Sequence, residues 1–352
     1  MAVLLYGANG YSGRLIAGLS GDYGIRPILA GRDADAVAAM GRELGLEHRI
    51  FPLDDGAALA AGISGVAAVL HCAGPFSRTA RPMASACVRA GVHYIDITGE
   101  IDVFESLAAR SREASDAGVM LLPGAGFDVV PSDCLAAHLA GRLPGARRLV
   151  LAIRGSGPLS RGTATTAMEN QHRGGMVRRG GALTAVPPAW RTRLVDFGDG
   201  RPVTTVTIPW GDVATAYHST GIGDIEVYAA VPPALVRFIR LTRWLGPLPG
   251  LKPVQALQRR LIRARAPGPG PDELATGSSA VWGRVEDDAG GSAAAVVHGP
   301  NGYLLTAHAT LVILRRVLGG DAPPGFRTPS GAYGHGLLED IPGVSLRDLP
   351  EA

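Results

Sequence analysis

The segment Val3-Leu4-Leu5-Tyr6, running at once into Gly7-Ala8-Asn9-Gly10-Tyr11-Ser12-Gly13, constrains the fold of this chain more than any other feature. An apolar strand that turns through three spaced glycines into a helix is the opening of a dinucleotide-binding βαβ unit. In that reading Gly7 permits the tight turn. Gly10 lets the backbone approach a pyrophosphate at the helix N-terminus, and Gly13 allows close helix–strand packing. Gly7, Asn9, Gly10, Tyr11, Ser12 and Gly13 are therefore the first candidate cofactor-binding residues. The competing reading is a plain strand-to-helix turn.

The text that follows supports the nucleotide reading. Short apolar runs at Val3–Tyr6, Ile28–Ala30, Ile50–Leu53, Ala67–His71, Tyr94–Ile97 and Val119–Leu122 alternate with helical patterns, as at Asp33–Leu44, Arg81–Ala90 and Val103–Ala117. That alternation predicts a parallel sheet covered on both faces, with ligands beyond the carboxyl ends of its strands. From about residue 145 the order changes. Strands are expected at Leu149–Arg154, Thr204–Ile208, Ile225–Val231, Ala280–Val285 and Ala293–His298, with helices at 163–177 and 305–318. The fold class is thus α/β: a Rossmann domain over 1–134 and an α+β substrate or oligomerisation domain over 135–302, its sheet mixed and largely antiparallel. The tail 303–352 is expected to pack back on the first domain. The APGPGPD stretch at 266–272 reads as a linker.

The second strand ends Leu29-Ala30-Gly31-Arg32. An acidic residue there would hold the ribose 2′-hydroxyl of NAD; an arginine fork suits a 2′-phosphate. Gly31 and Arg32 thus favour NADP(H), and Asp33 reads as the N-cap of the next helix. Asp54, after the third strand, either meets the adenine or caps a helix. Basic composition removes a rival. Of 34 basic residues only Lys252 is a lysine, and Leu248 stands four residues before it. The Tyr-x-x-x-Lys pair of short-chain dehydrogenases is therefore absent. A P-loop, a G-x-S-x-G elbow and paired metal-binding histidines are absent too, and no metal is expected. Three scattered cysteines, and an N-terminus that enters a strand directly, suggest a cytoplasmic protein.

The loops GANGYSG (7–13), LAGR (29–32), HCAGPF (71–76), YIDITGE (94–100) and GFDVVPSD (126–133) together resemble the saccharopine dehydrogenase-like family. The likeness is closest to its short bacterial reductases, the trans-acting enoyl reductases. It continues through GTATTAMENQ (162–171), PWGDVATAYHSTG (209–221) and GFRTPSGAYG (325–334). The resemblance implies NADP(H) and reduction of a C=N or C=C bond in a small or carrier-bound acyl substrate. It also implies that Cys72, Ala73, Gly74, Pro75 and Phe76 line the nicotinamide ribose and ring, with Phe76 covering a ring face. His71 departs from it, since relatives often carry Asn before CAGPF.

Hydride transfer needs positioning and a proton donor. The candidates are His218, Tyr217, Asp128 and Glu100. His218 is favoured on intrinsic pKa, and Tyr217 can donate from its phenol. As neighbours in a strand, Tyr217 and His218 would face opposite ways. Residues 231–266 carry eight basic and no acidic side chains, among them the helical stripe Arg237, Arg240 and Arg243. That stretch suits a solvated helix, an acyl-carrier contact or a peripheral membrane contact. Nucleic acid is not expected, no transmembrane segment is present, and a homodimer is expected. The expected function is an NADPH-dependent oxidoreductase. The alternatives are a non-catalytic NADP(H) sensor or scaffold, or a lipid-surface protein.

Overall fold

The structure is a computed structural model that describes residues 2–155, 157, 160–162, 164–165, 174–232, 234, 236–237, 260–261, 264 and 267–350. These divide into two compact units. One comprises residues 1–130, 303–333 and 340–342, the other 131–302, 334–339 and 343–352.

The first unit is built on seven parallel strands: β1 (Val3–Tyr6), β2 (Ile28–Gly31), β3 (His48–Ile50), β4 (Ala68–His71), β5 (His93–Asp96), β6 (Met120–Leu122) and β15 (Gly325–Phe326). Their order is β15-β6-β5-β4-β1-β2-β3, so the chain reverses direction across the sheet at β1. β1, β2, β4 and β6 are buried at every position, as strands covered on both faces must be. The covering helices include α1 (Tyr11–Leu19), α2 (Ala34–Leu44), α3 (Gly56–Gly62), α4 (Phe76–Ala90), α5 (Ile101–Ala108) and α6 (Ser111–Asp116). Asp33 caps α2 as expected, accepting a hydrogen bond from Ala36 N at 3.1 Å. The third strand lies earlier than the apolar run at Ile50–Leu53 suggests. Its residues are His48–Ile50, largely exposed at the sheet edge, where polar side chains cost little.

The second unit carries a nine-stranded sheet. Its main path is β10 (Thr192–Val195), β11 (Val203–Thr207), β12 (Asp224–Ala230), β7 (Arg148–Gly155), β13 (Ser278–Glu286), β14 (Ser292–Pro300) and β16 (Ser345–Leu349). β8 (Gly175–Arg179) pairs β12 and β9 (Ala182–Val186). Only β7 and β12 run parallel; every other pairing is antiparallel. Helix α7 (Val130–Arg142) packs on one face of β13 so closely that a Cβ on Gly283 would lie 2.8 Å from Leu139. The opposite face holds Ala152, Val195, Phe197, Tyr228 and Ala280.

Two expectations change. The helix expected over 163–177 gives way to strand β8 at its end; residues 164–165 are helical, while 163 and 166–173 lie outside the described residues. The tail is shared. It supplies α9 (Gly302–Leu318) and β15 to the first unit, whereas β16 extends the second sheet beside β14. In the basic stretch 231–266, residues 233, 235, 238–259, 262–263 and 265–266, with Arg240 and Arg243 among them, lie outside the described residues. Among the described residues no helix is long and apolar enough to cross a membrane.

Candidate functional site

The carboxyl ends of the first sheet bring the glycine loop, Gly31-Arg32, the 72–76 loop and the acidic loops after β5 and β6 to one edge of the first unit. Gly7 has φ +83°, and a Cβ there would lie 2.8 Å from Ala73 N. A Cβ on Gly13 would lie 2.4 Å from Gly7 O. Each position admits only glycine, the first for conformation and contact, the second for contact alone. Gly10 is the N-cap of α1, whose first turn holds no acidic side chain. The first amide hydrogens of that helix, with its dipole, form a ready anion site.

Arg32 and Asp54 are exposed and flank Tyr6, whose hydroxyl donates to Phe51 O at 3.0 Å. Burial raises the Tyr6 pKa; the Arg32 charge opposes that and Asp54 adds to it. A Cβ on Gly31 would stand 3.4 Å from Asn9 Oδ1, which places Asn9 beside the end of β2. Asp54 does not cap α3. Its neighbour Asp55 does, accepting from Ala57 N and Ala58 N at 3.0 Å each.

The 72–76 loop is held from two sides. The Thr79 hydroxyl donates to Ala73 O at 2.6 Å. The Glu100 carboxylate accepts from Phe76 N at 2.8 Å and Ser77 N at 2.9 Å, satisfying two free amides at the start of α4. Glu100 is buried, and both its carboxylate oxygens are occupied by these amides. Phe76 likewise turns inward. It packs edge-on to His71, with centroids 5.5 Å apart, instead of covering the loop. Gly74 is exposed, and a Cβ there would meet only ordinary contacts with Phe76. Burial raises the Cys72 thiol pKa, with Asp96 adding to the effect, so it is no ready nucleophile. His71 is fully buried among Tyr6, Phe76 and Tyr94, and neither ring nitrogen has a hydrogen-bond partner. Burial lowers its pKa to about 3, so it stays neutral.

Sequence reasoning missed Asp96. This buried carboxylate accepts from Tyr94 Oη at 2.7 Å, Thr98 N at 2.9 Å and Gly124 N at 3.0 Å. It thereby ties the loop after β5 to the loop after β6. Burial outweighs these bonds and raises its pKa to about 6. The available signal was an acidic last strand residue followed two positions on by threonine. Asp128 lies across from Gly99, where a Cβ would sit 2.9 Å from Asp128 Oδ2. Burial raises its pKa to about 6 as well.

Tyr217 and His218 belong to the second unit, and they lie on a helix, α8 (Asp212–Thr220), not on a strand. Consecutive helical side chains diverge by about 100° rather than 180°, and the two rings keep an edge contact with centroids 5.8 Å apart. The Arg178 guanidinium lies 4.2 Å from the Tyr217 ring centroid and is anchored by donating to Val213 O and Gly181 O, each at 2.7 Å. His218 is exposed. Ser219 on the same helix donates a hydrogen bond to buried Asp133, both within this unit. Among the described residues no group of His, Cys, Asp and Glu is arranged to hold a metal ion.

Comparison with known proteins agrees with the cradle. Residues 3–122 match the family model of the saccharopine dehydrogenase NADP binding domain. A Mycobacterium tuberculosis protein, whose name carries a provisional trans-acting enoyl reductase assignment, is 35% identical over 159 residues. That match covers 42% of this chain and 38% of the relative. A trans-acting enoyl reductase of Mycobacterium bovis is 33% identical over 139 residues, covering 37% of this chain and 33% of its own. The chain therefore aligns with under two fifths of the length of either relative. The structure of saccharopine dehydrogenase (L-Glu forming) from Saccharomyces cerevisiae superposes with a TM-score of 0.67 at 11% identity, covering 99% of this chain and 100% of that one. Residues 3–122 are thus similar to the saccharopine dehydrogenase NADP binding domain, within a chain whose fold is similar to that of saccharopine dehydrogenase.

Proposed function

We propose that this protein is an NADPH-dependent reductase acting on a polarised C=C or C=N bond. The observation that carries the reading is the glycine cradle, too tight for any Cβ at Gly7 or Gly13 and opening on the bare N-terminus of α1, with Arg32 at the end of β2. Gly10, Tyr11 and Ser12 would hold the pyrophosphate, Arg32 the 2′-phosphate, and Cys72–Pro75 the nicotinamide end. When bound, NADPH supplies a hydride equivalent to an electron-poor carbon.

The protein supplies position and a proton. Glu100 and Thr79 fix the 72–76 loop through its backbone. We assign proton delivery to Asp128, which stands across from Gly99 at the carboxyl edge of the first sheet and whose pKa burial raises to about 6. Tyr217 and His218 are the rival donors, carried by the second unit. The relatives' names favour an acyl-type enoyl substrate over an imine. Stopped-flow NADPH oxidation against panels of enoyl thioesters and imines tests the reading. Oxidation with one panel supports it. Tight NADPH binding with no oxidation on any panel favours a sensor instead.

A further inference from the structure

We infer that the second unit carries a binding site for a small phosphorylated molecule, on the face of its sheet opposite α7. A cavity of about 270 Å³ opens there over β7, β8, β10 and β12. Its walls include Arg148, Arg179, Arg191, Arg193, Glu226 and Tyr228. The inference is independent of the nucleotide cradle, which belongs to the other unit.

Charge accounting selects an anion. Four guanidiniums converge on a concavity that holds two carboxylates, Asp224 and Glu226. Asp224 is engaged by the backbone, accepting from Gly180 N at 2.8 Å. Glu226 is only 6% exposed and serves Arg179, Arg191 (2.9 Å) and the Tyr228 hydroxyl together, so two guanidiniums share one carboxylate. Arg148 is compensated outside the cavity by Glu286 at 3.3 Å and Asp288 at 3.2 Å. Arg193 forms no ion pair with any described residue; its guanidinium lies 5.7 Å from the Trp282 ring centroid. The cavity therefore keeps a positive surplus in a partly desolvated place, where an anion is held more strongly than in water.

Geometry narrows the anion. Arg191 stacks 4.1 Å from the Trp190 ring centroid, so its fork, like that of Arg193, is set against an indole although its side chain is 55% exposed. Forks arriving from separate strands suit three terminal phosphate oxygens better than the two coplanar oxygens of one carboxylate. The volume exceeds that of a bare phosphate, since each water takes about 30 Å³. Val150 and Tyr228 in the wall offer an apolar seat for an organic portion. The expected ligand is thus a phosphate monoester with a compact body.

Isothermal titration tests this with phenyl phosphate and inorganic phosphate as probes, in the presence of NADP⁺ so that the region of Arg32 does not contribute. Wild type should bind phenyl phosphate at one site, more tightly than inorganic phosphate. R193M and R191M should each weaken it about ten- to hundredfold, the effect of losing one charge-assisted fork. R193M should keep the wild-type melting temperature, since Arg193 pairs with no described carboxylate, and R191M should lower it by no more than a few degrees, since Glu226 retains Arg179 and Tyr228. R112M, at a side chain 95% exposed, should change nothing. Absence of millimolar binding to wild type, unchanged binding in R193M, equal weakening by R112M, or a preference for inorganic phosphate would each overturn the inference.

Discussion

Replacing Glu100 by glutamine separates two roles that one carboxylate could play. In the structure both oxygens accept backbone hydrogens, from Phe76 at 2.8 Å and Ser77 at 2.9 Å, in a buried setting. Glutamine keeps one acceptor oxygen and turns an NH₂ group toward the other amide, so one bond becomes a donor–donor contact. Loss of a charge-assisted bond costs about 1.5–3 kcal/mol, and loss of the negative charge at the start of α4 about 0.3–1 kcal/mol more. The start of α4 should then open about 2–4 kcal/mol more easily, which speeds exchange of the Phe76 and Ser77 amides by about 30- to 1,000-fold. Hydrogen exchange read at those two amides is the assay, because it reports this loop and not the unfolding of a two-unit chain. NADPH affinity should fall with it. Unchanged exchange in E100Q, with a lowered turnover rate alone, would show that Glu100 serves as a proton donor and refute the positioning argument.

Three further outcomes follow from the same geometry. Gly13→Ala places a Cβ 2.4 Å from Gly7 O; overpacking of about 1–3 kcal/mol should lower the melting temperature and raise the NADPH Kd at least tenfold, read by calorimetry and fluorescence titration. Asp128 has a folded pKa of about 6 against 3.8 when unfolded, so its stabilising contribution is full below pH 3.8 and lost as pH rises through 6. D128N should therefore be more stable than wild type at pH 8, by about 1–3 kcal/mol with the lower end favoured by its partial exposure, and equal to it near pH 4; urea unfolding at both pH values checks the sign, and reductase turnover should fall as the proton donor is lost. Ser219→Ala removes the hydroxyl paired with buried Asp133 and should cost about 1–3 kcal/mol, measured by thermal unfolding.

The first unit was readable because covered parallel strands are written as unbroken apolar runs, as in Val3–Tyr6 and Ala68–His71. Strands at edges are not. His48–Ile50 is largely polar and exposed, β15 is two residues long, and the apolar text of β9 lies exposed, so no burial pattern marks them. Asp212–Thr220 reads as a strand through its valine, threonines and tyrosine, yet it folds as a helix between Gly211 and a left-handed Gly221 at φ +73°. The glycine at its end was the overlooked signal. Glu100 and Asp96 act through backbone amides up to 28 residues away in sequence, which no local pattern encodes.

The cofactor assignment is the hinge of the functional account, and Arg32 tests it most directly. Dissociation constants for NADPH and NADH, measured on wild type and R32A at fixed ionic strength, separate the 2′-phosphate contribution from everything else. Wild type should prefer NADPH by about ten- to hundredfold, the range for one charge-assisted fork. R32A should lose that preference while binding NADH as before. Equal affinities in wild type, or a preference that survives in R32A, would contradict the account.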